Sequence, residues 1–253
     1  MIFVFNKDRI KTYLVSMLTV AMLIIFSNIG NIKSIQTSSV PKYLPIYNVK
    51  TDEKKIAFTM NCAWNAADIY SILETLKNNN VHITFFMVGD WVDKYPEAVK
   101  KINEAGHEIG SHSNTHPHVN KLSAEKNLEE INLSVAKIQK ITGQKANIYR
   151  APYGEYNNTV IKTAEENGYY TIQWNLDTLD YKGLTGEQMW NRLKNKLENG
   201  AIILSHNGTK HTADSLDMLI KNIKSKGYEI ITVSQLIYKD NYIINGNGTQ
   251  IHE

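Results

Sequence analysis

The chain has 253 residues, 28 Lys+Arg against 25 Asp+Glu, a formal net charge of +3, and 42% apolar residues. At roughly 150 residues per domain it holds one large domain or two small ones, and its composition excludes a disordered or collagen-like chain. The small charge surplus, without a Lys/Arg run, argues against nucleic acid, and the single cysteine, Cys62, excludes an intrachain disulfide framework and a cysteine-rich zinc finger.

The chain opens with a short basic stretch, residues 6–11, before an almost wholly apolar run over 13–26. That is the layout of a secretory signal or a retained signal anchor. The run is shorter than the about 20 residues a span needs, and no small-x-small cleavage site follows it. Either reading of residues 1–29 places the remainder outside the cytoplasm, secreted or held at the membrane, where a lone cysteine is at home. Residues 30–50, rich in Ser, Thr, Gln and Pro without periodicity, read as a linker.

From residue 51 to 239 strands and helices alternate. A strand is expected over 56–60, then a helix with Ile69, Ile72, Leu73 and Leu76 on one face. The apolar run 83–88 predicts a strand buried on both sides. Trp91, Tyr95, Val99 and Ile102 form the next helical stripe, closed by Gly106, and 107–111 forms a short strand. A long helix starts near Ser123 and stops at Gly143. Further strands are expected at 148–150, 169–174, 201–205 and 228–232. Helices fall near 157–167, 187–198 and 213–226, with Thr185 and Gln188 at capping-box spacing. The polar, Gly/Asn-rich residues 240–253 read as a flexible tail. Repeated strand–helix units imply parallel strands with right-handed crossovers, in a barrel or an open sheet. Chemistry then gathers at the carboxyl ends of the strands.

Four polar groups stand at such ends: Asn61-Cys62, His112 to His116, Arg150 to Gly154, and His206. His107, His112, His116 and His118 are four of the eight histidines. His112 and His116, four apart, have the spacing that sets two imidazoles on one side of a turn for a metal, or else they sit on a solvated loop. Arg150, before Pro152 and Gly154, aims a guanidinium at the strand-end cleft, for a catalytic carboxylate or for a structural ion pair. Asp177 and Asp180 follow a strand. His206 ends another, as a core-edge histidine or, with an aspartate partner, a general acid.

In this order and spacing the motifs resemble those of the polysaccharide deacetylases, the NodB-homology group of carbohydrate esterase family 4. His112-Ser113-Asn114-Thr115-His116 is similar to the His-Ser/Thr-x-x-His motif, and Arg150-Ala151-Pro152-Tyr153-Gly154 to the third motif. Asp177-Thr178-Leu179-Asp180-Tyr181 resembles Asp-x-x-Asp-Trp, with Tyr181 for tryptophan, and Leu204-Ser205-His206 resembles Leu-x-His. The resemblance spans residues 50–238. It implies a distorted (β/α) barrel of seven or eight strands and metal-dependent removal of N- or O-acetyl groups from peptidoglycan, chitin or xylan. It also implies roles: His112 and His116 on the metal, Arg150 orienting the catalytic carboxylate, and the Tyr153 N–H as oxyanion donor. Asp180 would tune His206 as general acid, Leu204 would line the acetyl pocket and Tyr181 would wall it.

The first motif departs. Where the family writes Thr-Phe-Asp-Asp-Gly, this chain has Thr59-Met60-Asn61-Cys62-Ala63. Asn61 stands in place of the base, and an amide takes no proton near neutral pH. Cys62 replaces a carboxylate ligand: as a thiolate it completes a Cys-His-His set suited to zinc, and as a buried thiol it is inert. The expected protein is a monomeric hydrolase acting on an acetylated envelope polysaccharide, with Asp68 as a substitute base in reserve. Its alternatives are a weakened or inactive glycan-binding member of the same fold and an unrelated zinc protein.

Overall fold

In the computed structural model residues 11, 13–20, 22 and 43–253 are described. Residues 11, 13–20 and 22 are helical and exposed. Among the described residues no helix is long and apolar enough to cross a membrane. The rest of the expected signal segment, and linker residues 30–42, lie outside the described residues.

Residues 42–253 form their own unit. Its elements are β1 (Asn48–Val49), β2 (Lys55–Cys62), α1 (Ile69–Asn78), β3 (Thr84–Met87), α2 (Gly89–Lys94), α3 (Pro96–Glu104) and β4 (Glu108–Ser111). There follow α4 (Ala124–Thr142), β5 (Ile148–Tyr149), α5 (Asn158–Glu166), β6 (Tyr170–Thr171), β7 (Leu176–Asp177) and α6 (Gly186–Leu193). The chain ends with β8 (Ile202–His206), α7 (Thr212–Ser225), β9 (Glu229–Ile231), α8 (Val233–Leu236), β10 (Tyr242–Ile244) and β11 (Thr249–His252). Seven strands in the order β6-β5-β4-β3-β2-β8-β7 make a curled, all-parallel half-barrel, and β9 pairs with the first residues of β2. The strand–helix alternation implies such parallel strands in a barrel or an open sheet, and the curled half-barrel agrees with the barrel type that the family resemblance implies.

β2 sits centrally, and its side chains alternate between faces because a strand has a period of two. Ile56, Phe58, Met60 and Cys62 enter the core shared with Ile69 and Ile72 of α1, Val99 of α3 and Leu219 of α7. Ala57 belongs to a second core with Phe86, Ile148, Ile172 and Ile202. Thr59 and Asn61 share the parity of Ala57, so they cannot face the same way as Cys62.

Local signals hold at several ends. The Ser123 hydroxyl accepts from the Lys126 N–H at the start of α4, and Gly143 closes that helix at φ 73. Thr185 and Gln188 form the capping box. The stripe through 91–102 is split into α2 and α3, because Pro96 has no N–H to continue a helix and suits a first helical turn instead.

Two boundaries need correction. Residues 43–50 do not belong to a linker: Leu44, Ile46 and Val49 are buried, and Ile46 bridges to Ile172 beyond β6. Residues 240–253 are not a frayed tail but the hairpin β10–β11, whose second strand pairs in parallel with β1. Gln250 locks it, accepting from the Tyr238 N–H at 2.9 Å and donating to the Tyr238 carbonyl at 2.8 Å. The Asn-Gly residues form its turn, with Gly248 at φ 80, where a Cβ would strike Tyr47.

Candidate active site

The carboxyl ends of the strands converge because the register aligns them. Asn61 of β2 is the direct partner of His206 on β8, and Thr59 of Leu204. Around them opens a cleft of about 390 Å³ lined by Asn61, Trp64, His116, Tyr153, Trp174, Asp177, Tyr181, Leu204 and His206, among others. Trp64, Tyr153 and Tyr181 remain 48%, 59% and 47% exposed, so three aromatic rings rim an opening whose floor is buried. Four of the six non-glycine residues at positive φ stand here among the described residues: Ser113, His116, Tyr153 and Leu179. Such backbone is costly and persists where the surroundings over-determine it.

One side of the cleft is built on Asp180, in the turn Asp180–Lys182 that follows β7. Its carboxylate accepts from the His206 N–H (2.6 Å), the Tyr181 N–H (2.8 Å) and the Thr212 hydroxyl (2.7 Å), and lies 2.8 Å from Nδ1 of His206. With Nδ1–H held by the carboxylate, Nε2 of His206 is left to face the cleft. The ring lies against Trp64 (5.3 Å between centroids) and edge-on to Tyr181 (5.4 Å).

The other side is built on Arg150, which is fully buried. Its guanidinium donates to the Thr59 hydroxyl (2.8 Å), the Asn61 Oδ1 (3.0 Å) and the carbonyls of Gln173 (3.0 Å) and Ile172 (3.4 Å). Phe86 packs 4.1 Å and Trp174 5.5 Å from it. Among the described residues no carboxylate bonds it. Burial therefore drags its pKa down to about 9, opposed only by the more distant charge of Asp177. Asn61 also reaches His112: its Nδ2 is 3.3 Å from Nε2, while Nδ1 of His112 is 2.7 Å from the Arg150 carbonyl. Burial, with His116 nearby, holds His112 well below the usual histidine range, and burial lowers His116 as well. Burial likewise raises Asp177, whose Oδ1 accepts the Leu179 N–H.

Of the residues read from sequence, His112, His116, Arg150, Asn61, Tyr153, Asp180, Tyr181, Leu204 and His206 come together here. Cys62 does not. It follows Asn61 on the strand and so points to the opposite face, wholly buried in the apolar core, where burial and then Asp68 push its thiol well above the ordinary cysteine value. A protonated core thiol is no metal ligand, and the expected Cys-His-His zinc set is corrected accordingly. Asp68 is spoken for too. It accepts from the Asn207 Nδ2 and the Gly208 N–H at 3.1 and 2.7 Å and pins the loop after β8.

Reading by motif missed the supports. Glu130 of α4 accepts from the Asn114 and Thr115 N–H groups (2.9 and 2.8 Å) and from the Thr115 hydroxyl (3.0 Å), shaping the His112–His116 loop. Thr59, Thr212 and the Gln173 carbonyl position Arg150 and Asp180. Only the tertiary fold brings these together, although Thr59 belongs to the first motif and Trp64 directly follows it. Gly154, at φ 67, lets the turn lie on Trp174, which a Cβ would meet at 3.0 Å.

Members of the family are in general metal-dependent. The residues present fit that group poorly. Two imidazoles stand 4.9 Å apart by centroid, but no third His, Cys, Asp or Glu groups with them among the described residues. The Nε2 of His112 is also already engaged by an amide.

Residues 48–172 match the family model for polysaccharide deacetylase. The uncharacterised protein YlxY of Bacillus subtilis is 36% identical over 193 residues, 76% of this chain and 60% of that protein. The structure of the peptidoglycan deacetylase PdaC from Bacillus subtilis is 34% identical, with a TM-score of 0.67 over 74% of this chain and 92% of that one. Wild-type BA3943 from Bacillus anthracis, described as a pseudoenzyme of carbohydrate esterase family 4, is 31% identical with a TM-score of 0.74. It covers 83% of this chain and 73% of that one, and a mutant of it is described as having restored enzymatic activity. The chain spans 60% of YlxY and so matches only part of that relative's length. With the fold, the motifs and these relatives in agreement, the chain belongs to the polysaccharide deacetylase family, carbohydrate esterase family 4.

Proposed function

We propose that this cleft binds an acetylated polysaccharide of the cell envelope, in the manner of a peptidoglycan or chitin-like chain, and that as it stands it is a weakened or inactive deacetylase. The single observation that carries the reading is Asn61. The motif resemblance gives residue 61 the base's role; here it is an amide that accepts from the Arg150 guanidinium, and it cannot take a proton from water near neutral pH. Three exposed aromatic rings around a buried floor supply the flat apolar faces on which sugar rings stack. Leu204 would take the acetyl methyl, the Tyr153 N–H would face the carbonyl oxygen, and His206, oriented by Asp180, would protonate a departing amine. That reaction is hydrolysis of a non-peptide carbon–nitrogen bond. The likeness to relatives described as peptidoglycan deacetylases supports the substrate class, and the likeness to a pseudoenzyme supports the loss of turnover. The basic flank and apolar run of the N-terminal sequence support a place outside the cytoplasm, anchored or secreted.

A second reading, slow but real hydrolysis, is favoured by the intact His206–Asp180–Thr212 arrangement and by Asp177, a carboxylate that lines the cleft. The test is acetate release from acetylated peptidoglycan and chitin oligomers beside equilibrium binding of the same glycans. Binding without release is expected of the wild type. Steady release by the wild type, lost in Asp177→Asn, would establish the second reading; neither binding nor release would overturn both.

A further inference from the structure

The directions of three hydrogen bonds around residue 61 are settled by chemistry. A guanidinium only donates, so the atom of Asn61 that Arg150 Nη1 meets at 3.0 Å must be the amide oxygen. The amide nitrogen is thereby turned to His112, and since it too only donates, Nε2 of His112 accepts at 3.3 Å. The Arg150 carbonyl only accepts, so the 2.7 Å bond to it fixes the proton of His112 on Nδ1. The three groups close a ring, Arg150 side chain to Asn61, Asn61 to His112, His112 to Arg150 backbone. All of it is buried: Arg150 is 0%, His112 3% and Asn61 4% exposed.

A metal ion binds a neutral imidazole through its lone pair. On His112 the one lone pair is at Nε2, and Asn61 has it. We infer that Asn61 is an internal cap on His112, so that residue 61 sets the metal affinity of this cleft, and the wild-type cleft is built to stand without a metal ion. This goes deeper into the site discussed above, and it rests on that reading only for the choice of metal as the probe. A binding measurement reads the cap and acetate release reads turnover, so either can fail alone.

An aspartate at 61 would behave oppositely. Its carboxylate would still accept from Arg150, but its second oxygen would face the His112 lone pair, and two facing lone pairs are relieved by a cation between them. The cap would become a ligand. An alanine would free the lone pair without adding an anion.

The experiment is competitive titration of zinc ion against a chromophoric chelator, using the full chain as wild type, Asn61→Ala, Asn61→Asp and His112→Ala. Removing one buried hydrogen-bond competitor predicts about three- to tenfold tighter zinc binding by Asn61→Ala. Asn61→Asp should bind tighter again, by about tenfold or more, as charge-assisted contacts exceed neutral ones, and His112→Ala should bind weakest. Nitrogen NMR of the metal-free chain supplies an independent reading: His112 in the Nδ1–H tautomer with Nε2 hydrogen-bonded, and that bond signature absent from Asn61→Asp. Should Asn61→Ala fail to fold, the aspartate variant and the NMR signature carry the test. Equal zinc affinity in wild type and both variants would overturn the inference, as would tightest binding by the wild type, no zinc binding by any form, or an unbonded Nε2 in the wild type.

Discussion

Two buried polar assemblies face each other across the cleft, and they are finished to different degrees. On the β7–β8 side the Asp180 carboxylate takes donors from His206, Tyr181 and Thr212, so its charge is shared by backbone and side chains and the His206 ring is fixed. On the β2–β5 side a buried guanidinium has four oxygen acceptors but no anion, and the nearest position for one holds Asn61. Both charges are held by hydrogen bonds; the difference is that the carboxylate meets a titratable ring, His206, and the guanidinium meets an amide, Asn61. On the reading proposed above, His206 is held in place to donate a proton, while residue 61 opposite is an amide, which cannot accept one near neutral pH.

The largest effect should come from breaking the finished side in a protein where the unfinished one has been repaired. In an Asn61→Asp background, His206→Ala should lower acetate release by about 10²–10⁴, the span for losing an acid-base group. Unchanged release would remove His206 from the proton-donor role. Repair itself is next: Asn61→Asp alone should raise release about 10–10³-fold over the wild type, bounded by what a general base contributes. A decrease would mean that Asn61 orients something in a working site. Breaking the unfinished side should show in stability instead. Arg150→Ala removes a wholly buried side chain and leaves the Asn61 oxygen and two carbonyls unpaired, a cost of about 3–5 kcal/mol in denaturant unfolding. A cost under about 1 kcal/mol would show that the uncompensated cation had been a burden as large as its contacts.

A smaller effect compares a histidine of the cleft with one far from it. Burial holds His107 at about 4, with its Nδ1 accepting from the Ile83 N–H, and it holds His112 well below the usual value. The unfolded chain binds these protons at about 6.5 and the folded chain only at lower pH, so stability falls as pH drops below about 6.5. For His107 the fall should end near pH 4 and amount to on the order of 1–3 kcal/mol. Unfolding midpoints from pH 7 to 4 check this, and His107→Gln should flatten the profile in part. Smallest is the rim: Trp64→Ala should weaken glycan binding about two- to tenfold with the fold unchanged. No change would place the sugar elsewhere.

Much of this molecule is legible along the chain, where local physics decides. Ser123 and Gly143 bound α4, Thr185 and Gln188 cap α6, and the apolar runs 56–60 and 83–88 become the central strands. The motif residues stand after strands, and strand ends are where a parallel sheet leaves polar groups exposed to one opening. Of the two readings of Cys62, metal ligand or inert buried thiol, the fold selects the second, and strand alternation already sets Cys62 opposite to Asn61. The C-terminal residues form a hairpin where their composition suggests a flexible tail, because Gly and Asn serve hairpin turns as readily as disorder and the partner strand β1 lies some 200 residues away in sequence.

By itself the sequence determined the strand–helix alternation, the order of the polar strand ends, and the fact that residue 61 is an amide that cannot take a proton. Only the tertiary structure decided that Arg150 has no anion bonded to it among the described residues, that Glu130 and Thr212 brace the two halves, and that the Asn61 amide N–H donates a hydrogen bond to His112. Those depend on which buried groups face one another. Burial makes every unmatched donor or charge count for more, and it is a property of the packed fold that no spacing along the chain records.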